Sequence, residues 1–72
     1  MSENLPEGLA RQIKRVTEIK AQYEALRGMP NVIVAPQIAM MEAELAEAVA
    51  AAGSNDIVRM MQAYKTLSEY SE

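Results

Sequence analysis

Apolar residues recur at Leu9, Ile13, Val16, Ile19, Tyr23 and Leu26, at steps of four, three, three, four and three. That is the period of one face of an α-helix and not the alternation of a strand. The helix has readable ends. Asn4 and Glu7 stand at capping-box spacing, and Pro6 is tolerated in a first turn, where its missing N–H costs nothing. Gly8 weakens this start by about 1 kcal/mol relative to Ala. Arg27 is placed to complement the helix dipole. Gly28 suits the left-handed residue after a helix, and Pro30 forbids continuation. The pattern predicts a first helix over 5–27, with residues 1–4 frayed.

A second stripe runs through Ile38, Met41, Leu45, Ala48/Val49 and Ala52, with Pro36 fit for the opening turn and Gly53 for the end. It predicts a helix over 36–52. The alanines Ala39, Ala43, Ala46, Ala50 and Ala51 raise its propensity and let a neighbouring helix approach closely. Gly53-Ser54-Asn55-Asp56 reads as a turn and a restart, with Ser54 or Asn55 as cap and Asp56 in the first turn. A third helix is expected over 55–70. Its apolar face of Ile57, Met60, Met61, Tyr64 and Leu67, widened by Val58, suits contact from two directions. Tyr70 and residues 71–72 are expected to fray.

Between the first two helices, residues 28–35 make an apolar loop. Val32, Ile33 and Val34 are strand formers bracketed by Pro30 and Pro36. Loops run over the surface, so an apolar one needs a cover. The favoured arrangement tucks Ile33 into the chain's own core. The other pairs the segment with its copy across a two-fold axis.

Length changes the picture. A chain of 72 residues is one small domain that buries only ~60% of its unfolded surface. Such scaffolds lean on disulfides, a metal or a second subunit. There is no cysteine and no histidine, so disulfides are excluded and the commonest zinc ligand is missing. The expectation is an all-α fold of three short helices, a helical hairpin plus a third helix, assembled as a homodimeric helical bundle. No cofactor is expected. No apolar run approaches the ~20 residues that span a bilayer, and a cysteine-free chain suits the cytoplasm.

The net charge of −3 is unevenly spread: +1 through Arg27, −3 from Gly28 to Ala52, and −1 thereafter. The first helix is thus complementary to the second, which favours their antiparallel packing. Arg11, Lys14, Arg15 and Lys20 form a basic cluster that a dimer would display twice, an arrangement able to hold phosphates. Pairing with Glu7, Glu18 and the acids of the second helix is the favoured reading, because the chain is acidic overall.

Catalytic chemistry finds little to work with. No histidine or cysteine partners the hydroxyls. Lys65 and Ser68 could form a dyad only as i,i+3 neighbours, and an exposed polar face explains them better. Glu42, Glu44 and Glu47 read as a solvated face and not as acid–base residues. The chain is not expected to be an enzyme.

The methionine pairs Met40-Met41 and Met60-Met61 say more. Adjacent helical residues point about 100° apart, so one of each pair must serve a second surface, and methionine is common on adaptable binding surfaces. Val32, Ile33, Val34, Met40, Met41, Val58, Met60, Met61 and Tyr64 are therefore the candidate partner or oligomer interface. In size and composition alone the chain resembles the short acidic helical proteins with which bacteriophages and bacteria inhibit host factors. The expected role is a non-enzymatic adaptor, regulator or inhibitor that binds and occludes a partner protein. The alternative is a nucleic-acid-associated dimer using the basic cluster.

Overall fold

The computed structural model describes residues 3–70. Three helices run up, down and up: α1 (Leu5–Ala25), α2 (Ala35–Ala52) and α3 (Ile57–Ser68). All regular structure among the described residues is helical, and each helix packs against the other two. The expected fraying at 71–72 and at the first two residues lies outside the described residues. Glu3 and Asn4 are held. The Asn4 side chain accepts the Glu7 N–H at 2.9 Å and donates to the Glu7 carboxylate at 3.0 Å, and Glu3 pairs with Arg11 at 3.1 Å.

Most of each hydrophobic stripe converges, while Leu26, Val49, Ala52 and Ile57 stay exposed. Leu9, Val16 and Ile19 from α1, Met41, Ala48 and Ala51 from α2, and Met60, Ala63 and Leu67 from α3 form one buried cluster. Ile13, Tyr23, Leu45 and Tyr64 pack around it, half-buried. The alanines of α2 do part of what the sequence suggests: Ala48 and Ala51 are fully buried and bring the helices close, whereas Ala39, Ala43, Ala46 and Ala50 face solvent.

Three ends differ from expectation. α1 stops at Ala25 with Leu26 as its cap, so Arg27 lies beyond the last turn. Gly28 does take the left-handed conformation, φ 88°, and Asn31 follows at φ 65°. The chain then turns twice, through Met29 N–H to the Leu26 carbonyl and Val32 N–H to the Met29 carbonyl, in place of an extended segment. Before α3, Asp56 is itself the cap, accepting the Arg59 N–H at 3.1 Å. Asn55 supplies a left-handed residue at φ 61°, and the Ser54 hydroxyl accepts the Asp56 N–H while donating to the Ala51 carbonyl. Tyr70 is not frayed. It packs against the core beyond the end of α3, and its hydroxyl donates to the Glu44 carboxylate.

Helix lengths set the shape. At 1.5 Å per residue, the 21 residues of α1 span about 31 Å and the 12 of α3 about 18 Å. α3 lies along the first part of α1, with Tyr64 beside Gly8 and the Leu67 carbonyl beside Arg15. The α1–α2 hairpin therefore continues past α3 as a two-helix tip. Val34 and Ile38 are buried outside the main cluster and hold this tip. The molecule is accordingly long, 43 × 24 × 15 Å, with a radius of gyration of 13.4 Å, against about 11 Å for a compact chain of this length.

Candidate interaction surfaces

The methionine pairs divide as helical geometry demands. Met41 and Met60 turn inward and are buried, while Met40 and Met61 are more than half exposed. Val34 is likewise buried. Met41, Met60 and Val34 are thus used by the chain's own core and drop out of the candidate outer surface. Among the apolar loop residues the order is the reverse of the favoured arrangement. Val34 is covered because it leads directly into α2, its carbonyl accepting the Ile38 N–H at 2.9 Å. Ile33, one residue earlier, points the other way and is 80% exposed.

Among the described residues, Met40 and Val49 are exposed on α2, and the other large exposed apolar side chains fall into two groups. The first is the hairpin tip, where Leu26, Met29, Val32 and Ile33 are all exposed within one connection. The second is the outer side of α3. There Ile57, Val58 and Met61 are exposed, and Val58, Met61, Gln62, Tyr64 and Lys65 line an open groove of about 540 Å³ with Leu5 of α1. Met29 and Leu5 were not singled out from sequence, and Leu26 and Ile57 were expected as stripe residues and not as outer surface. Leu26 and Ile57 continue the stripes of their helices, so periodicity alone assigns them to the core. Each sits at a helix end, beyond the reach of the packed neighbour.

Tyr64 is held against α1 by a feature that reads in sequence as a defect. Gly8 is buried, and a Cβ there would stand 3.0 Å from Tyr64 Cε2. The glycine lets the ring lie on the α1 backbone.

The basic cluster lies on α1 with most of its members engaged by the chain's own groups. Arg11 holds Glu3 in a two-pronged contact, with Nε donating to both carboxylate oxygens at 3.1 Å. Hydrogen bonding and the charge of Glu3 raise the Arg11 pKa above its ordinary value. Arg15 donates from Nε to the Gln12 side-chain oxygen and from its terminal nitrogen to the Leu67 carbonyl, both at 2.9 Å. It therefore caps the C-terminal end of α3, adding to the Tyr70 N–H that the Leu67 carbonyl accepts at 3.3 Å and placing a cation at the negative pole of the helix. Gln12, buried among apolar side chains, is satisfied by this contact. Lys20 bridges Glu24 at 2.9 Å and Glu42 of α2 at 3.6 Å. Hydrogen bonding to Glu24 raises the Lys20 pKa and lowers that of Glu24. Lys14 is exposed. Lys20 realises the charge match expected between α1 and α2. The Glu47 carboxylate of α2 goes to α3, accepting from Arg59 at 2.6 and 2.8 Å, which lowers its pKa. These pairs are at the surface, where water and salt weaken them, so they orient the helices more than they stabilise them.

The other polar candidates are used locally. The Ser68 hydroxyl donates to the Lys65 backbone carbonyl at 2.9 Å, a helix-internal bond and no dyad. Glu44 takes the Tyr70 hydroxyl, and burial followed by that hydrogen bond pushes the Tyr70 pKa up to about 12. Among the described residues no group of three or more acidic side chains is placed to hold a metal ion. Among the same residues no helix is long and apolar enough to cross a membrane. No family model, curated protein or solved structure matches the chain.

Proposed function

We propose that this chain is a non-enzymatic protein-binding module, a small acidic helical adaptor or inhibitor that occludes a surface of a partner protein. The reading rests on one observation, the 80% exposure of Ile33 at the hairpin tip. Fully burying such a side chain is worth ~1.5–3 kcal/mol, and here most of that gain is unrealised. Leu26, Met29 and Val32 surround it in the same connection, making an apolar group on the part of the molecule that projects beyond α3. Apolar surface gathered in this way marks interaction sites more often than it marks chance. Two copies of the chain joined as a homodimer in the cytoplasm complete the proposal, since a core this small gains from a second subunit.

Ile33→Asn tests it. An exposed substitution is worth within about 0.5 kcal/mol of stability, so helicity and sedimentation are expected to stay as they are while a protein captured by the unmodified chain, and reconstituted from purified components, is no longer bound. A chain that recovers only itself from a bacterial lysate refutes the reading. The nucleic-acid alternative draws less support, because Arg11, Arg15 and Lys20 are each engaged by their own protein. A salt-dependent shift on DNA or RNA that charge reversal at Arg11 and Arg15 abolishes would restore it.

A further inference from the structure

We propose that the Met29 thioether is a modification site, where oxidation to the sulfoxide by a peroxide removes the apolar character of the hairpin tip and leaves the fold intact. The inference rests on the reading that the tip is the binding surface, and it adds a chemical means of disabling that surface.

The fold sorts the methionines by access. Met41 and Met60 are at most 3% exposed inside the buried cluster, whereas Met29, Met40 and Met61 are more than half exposed. Met40-Met41 and Met60-Met61 are neighbours in sequence, so within each pair it is burial that distinguishes the two sulfurs. Oxidation of sulfur follows its access to the oxidant. The thioethers that hold the core are shielded, and those outside it are open to attack.

Of the three exposed thioethers, Met29 is the one in the tip. Its N–H donates to the Leu26 carbonyl at 3.2 Å, and its carbonyl accepts the Val32 N–H at 3.3 Å. Both turns of the connection therefore pass through this residue. They are held by backbone groups, and the thioether takes no part in either bond. The side chain shares the connection with exposed Leu26, Val32 and Ile33.

In the step itself a sulfur lone pair attacks one peroxide oxygen. The O–O bond breaks and an S–O bond forms. The departing hydroxide takes the proton left on the transferred oxygen and leaves as water. Sulfur is oxidised by the electron pair that reduces the peroxide. A flexible apolar side chain becomes a polar one. A partner that covers the tip must then desolvate the sulfoxide oxygen, which opposes binding wherever no donor meets it.

The test treats the folded chain with hydrogen peroxide and follows each methionine by peptide mass spectrometry, with helicity measured in parallel. Met29, Met40 and Met61 are expected to gain one oxygen atom each before Met41 or Met60 gains any, with helicity unchanged. In urea all of these should react at one rate. A chain carrying Met40→Leu and Met61→Leu then isolates Met29. Oxidation should lower its retention on butyl resin, and should weaken its binding to a partner reconstituted from purified components by about tenfold or more. Adding Met29→Leu should abolish both responses. Oxidation of Met41 or Met60 in step with Met29, or loss of helicity as Met29 reacts, overturns the proposal. So does complete oxidation of Met29 with retention unchanged. If the unoxidised tip binds no protein, the binding reading fails, and mapping and retention still decide the oxidation site.

Discussion

Gly8→Ala should have opposite consequences in two backgrounds. Position 8 lies inside α1, where alanine is favoured over glycine by up to about 1 kcal/mol. The added Cβ would stand 3.0 Å from Tyr64 Cε2 and 3.4 Å from a Glu3 carboxylate oxygen. Ordinary carbon contacts are near 3.5–4.0 Å, so the ring must retreat by roughly half an ångström. Tyr64 has somewhere to go, since its other side faces the open groove, and retreat loosens its packing on α1 without breaking the fold. Propensity gain and packing loss are of similar size, so Gly8→Ala alone is expected to be neutral or mildly destabilising. In a Tyr64→Ala background the obstacle is gone and the same change should stabilise by about 1 kcal/mol. For a domain of this size that raises the melting temperature by about 4–8 °C. The assay is thermal melting by far-ultraviolet circular dichroism on the four chains of the cycle. Protein concentration is held fixed, because any self-association would make melting concentration-dependent. An equal rise in both backgrounds would show that Gly8 is not there to receive Tyr64, and the account of this contact would be wrong.

Three further predictions follow from single contacts. Arg15→Met removes the cation that caps α3 and satisfies Gln12, and should cost about 1–2 kcal/mol by urea titration. Arg15→Lys is expected to recover only part, since one ammonium cannot make both bonds in the same plane. Gly28→Ala should cost about 1–2 kcal/mol through backbone strain alone, because φ is +88° and nothing lies within 4 Å of the new Cβ; Gly28→Asn should cost less. The Tyr70 pKa is raised to about 12, so its contribution to stability is complete below the unfolded value of about 10 and is lost as pH rises from there through the folded value. A tyrosinate absorbance step near pH 12 should vanish in Tyr70→Phe, whose stability should then fall less across that window.

The expected outline of three helices rested on residues whose effect is local. Gly28 takes its left-handed turn and Pro30 bars further helix because no neighbour can change what φ +88° or a missing N–H permits, although α1 itself already stops at Ala25. Asn4 caps because Glu7 is three residues on. The stripe from Leu9 through Ile19, with Ile38, Met41, Met60 and Leu67, pointed to the core because period alone gathers those residues on one side of each helix.

The local signal stopped where a second element had to be known. Ala48 and Val49 both fit the stripe of α2, and only the direction from which α1 and α3 approach buries the first and exposes the second. Ile33 and Val34 are equally apolar, and the phase at which the chain enters α2 buries the second and exposes the first. Arg15 reads as one cation of a cluster until the end of α3 arrives beside it, and Gly8 reads as a weakness until Tyr64 does. Tyr70 reads as a frayed end until the acidic face of α2 supplies Glu44. The sequence by itself determined the three helices, their ends to within two residues and most of their apolar sides, because capping, propensity and periodicity act within a few residues. Which apolar side chains were left outside was decided by the tertiary structure. α3 is shorter than the hairpin it packs on, so its far side and the hairpin tip meet solvent.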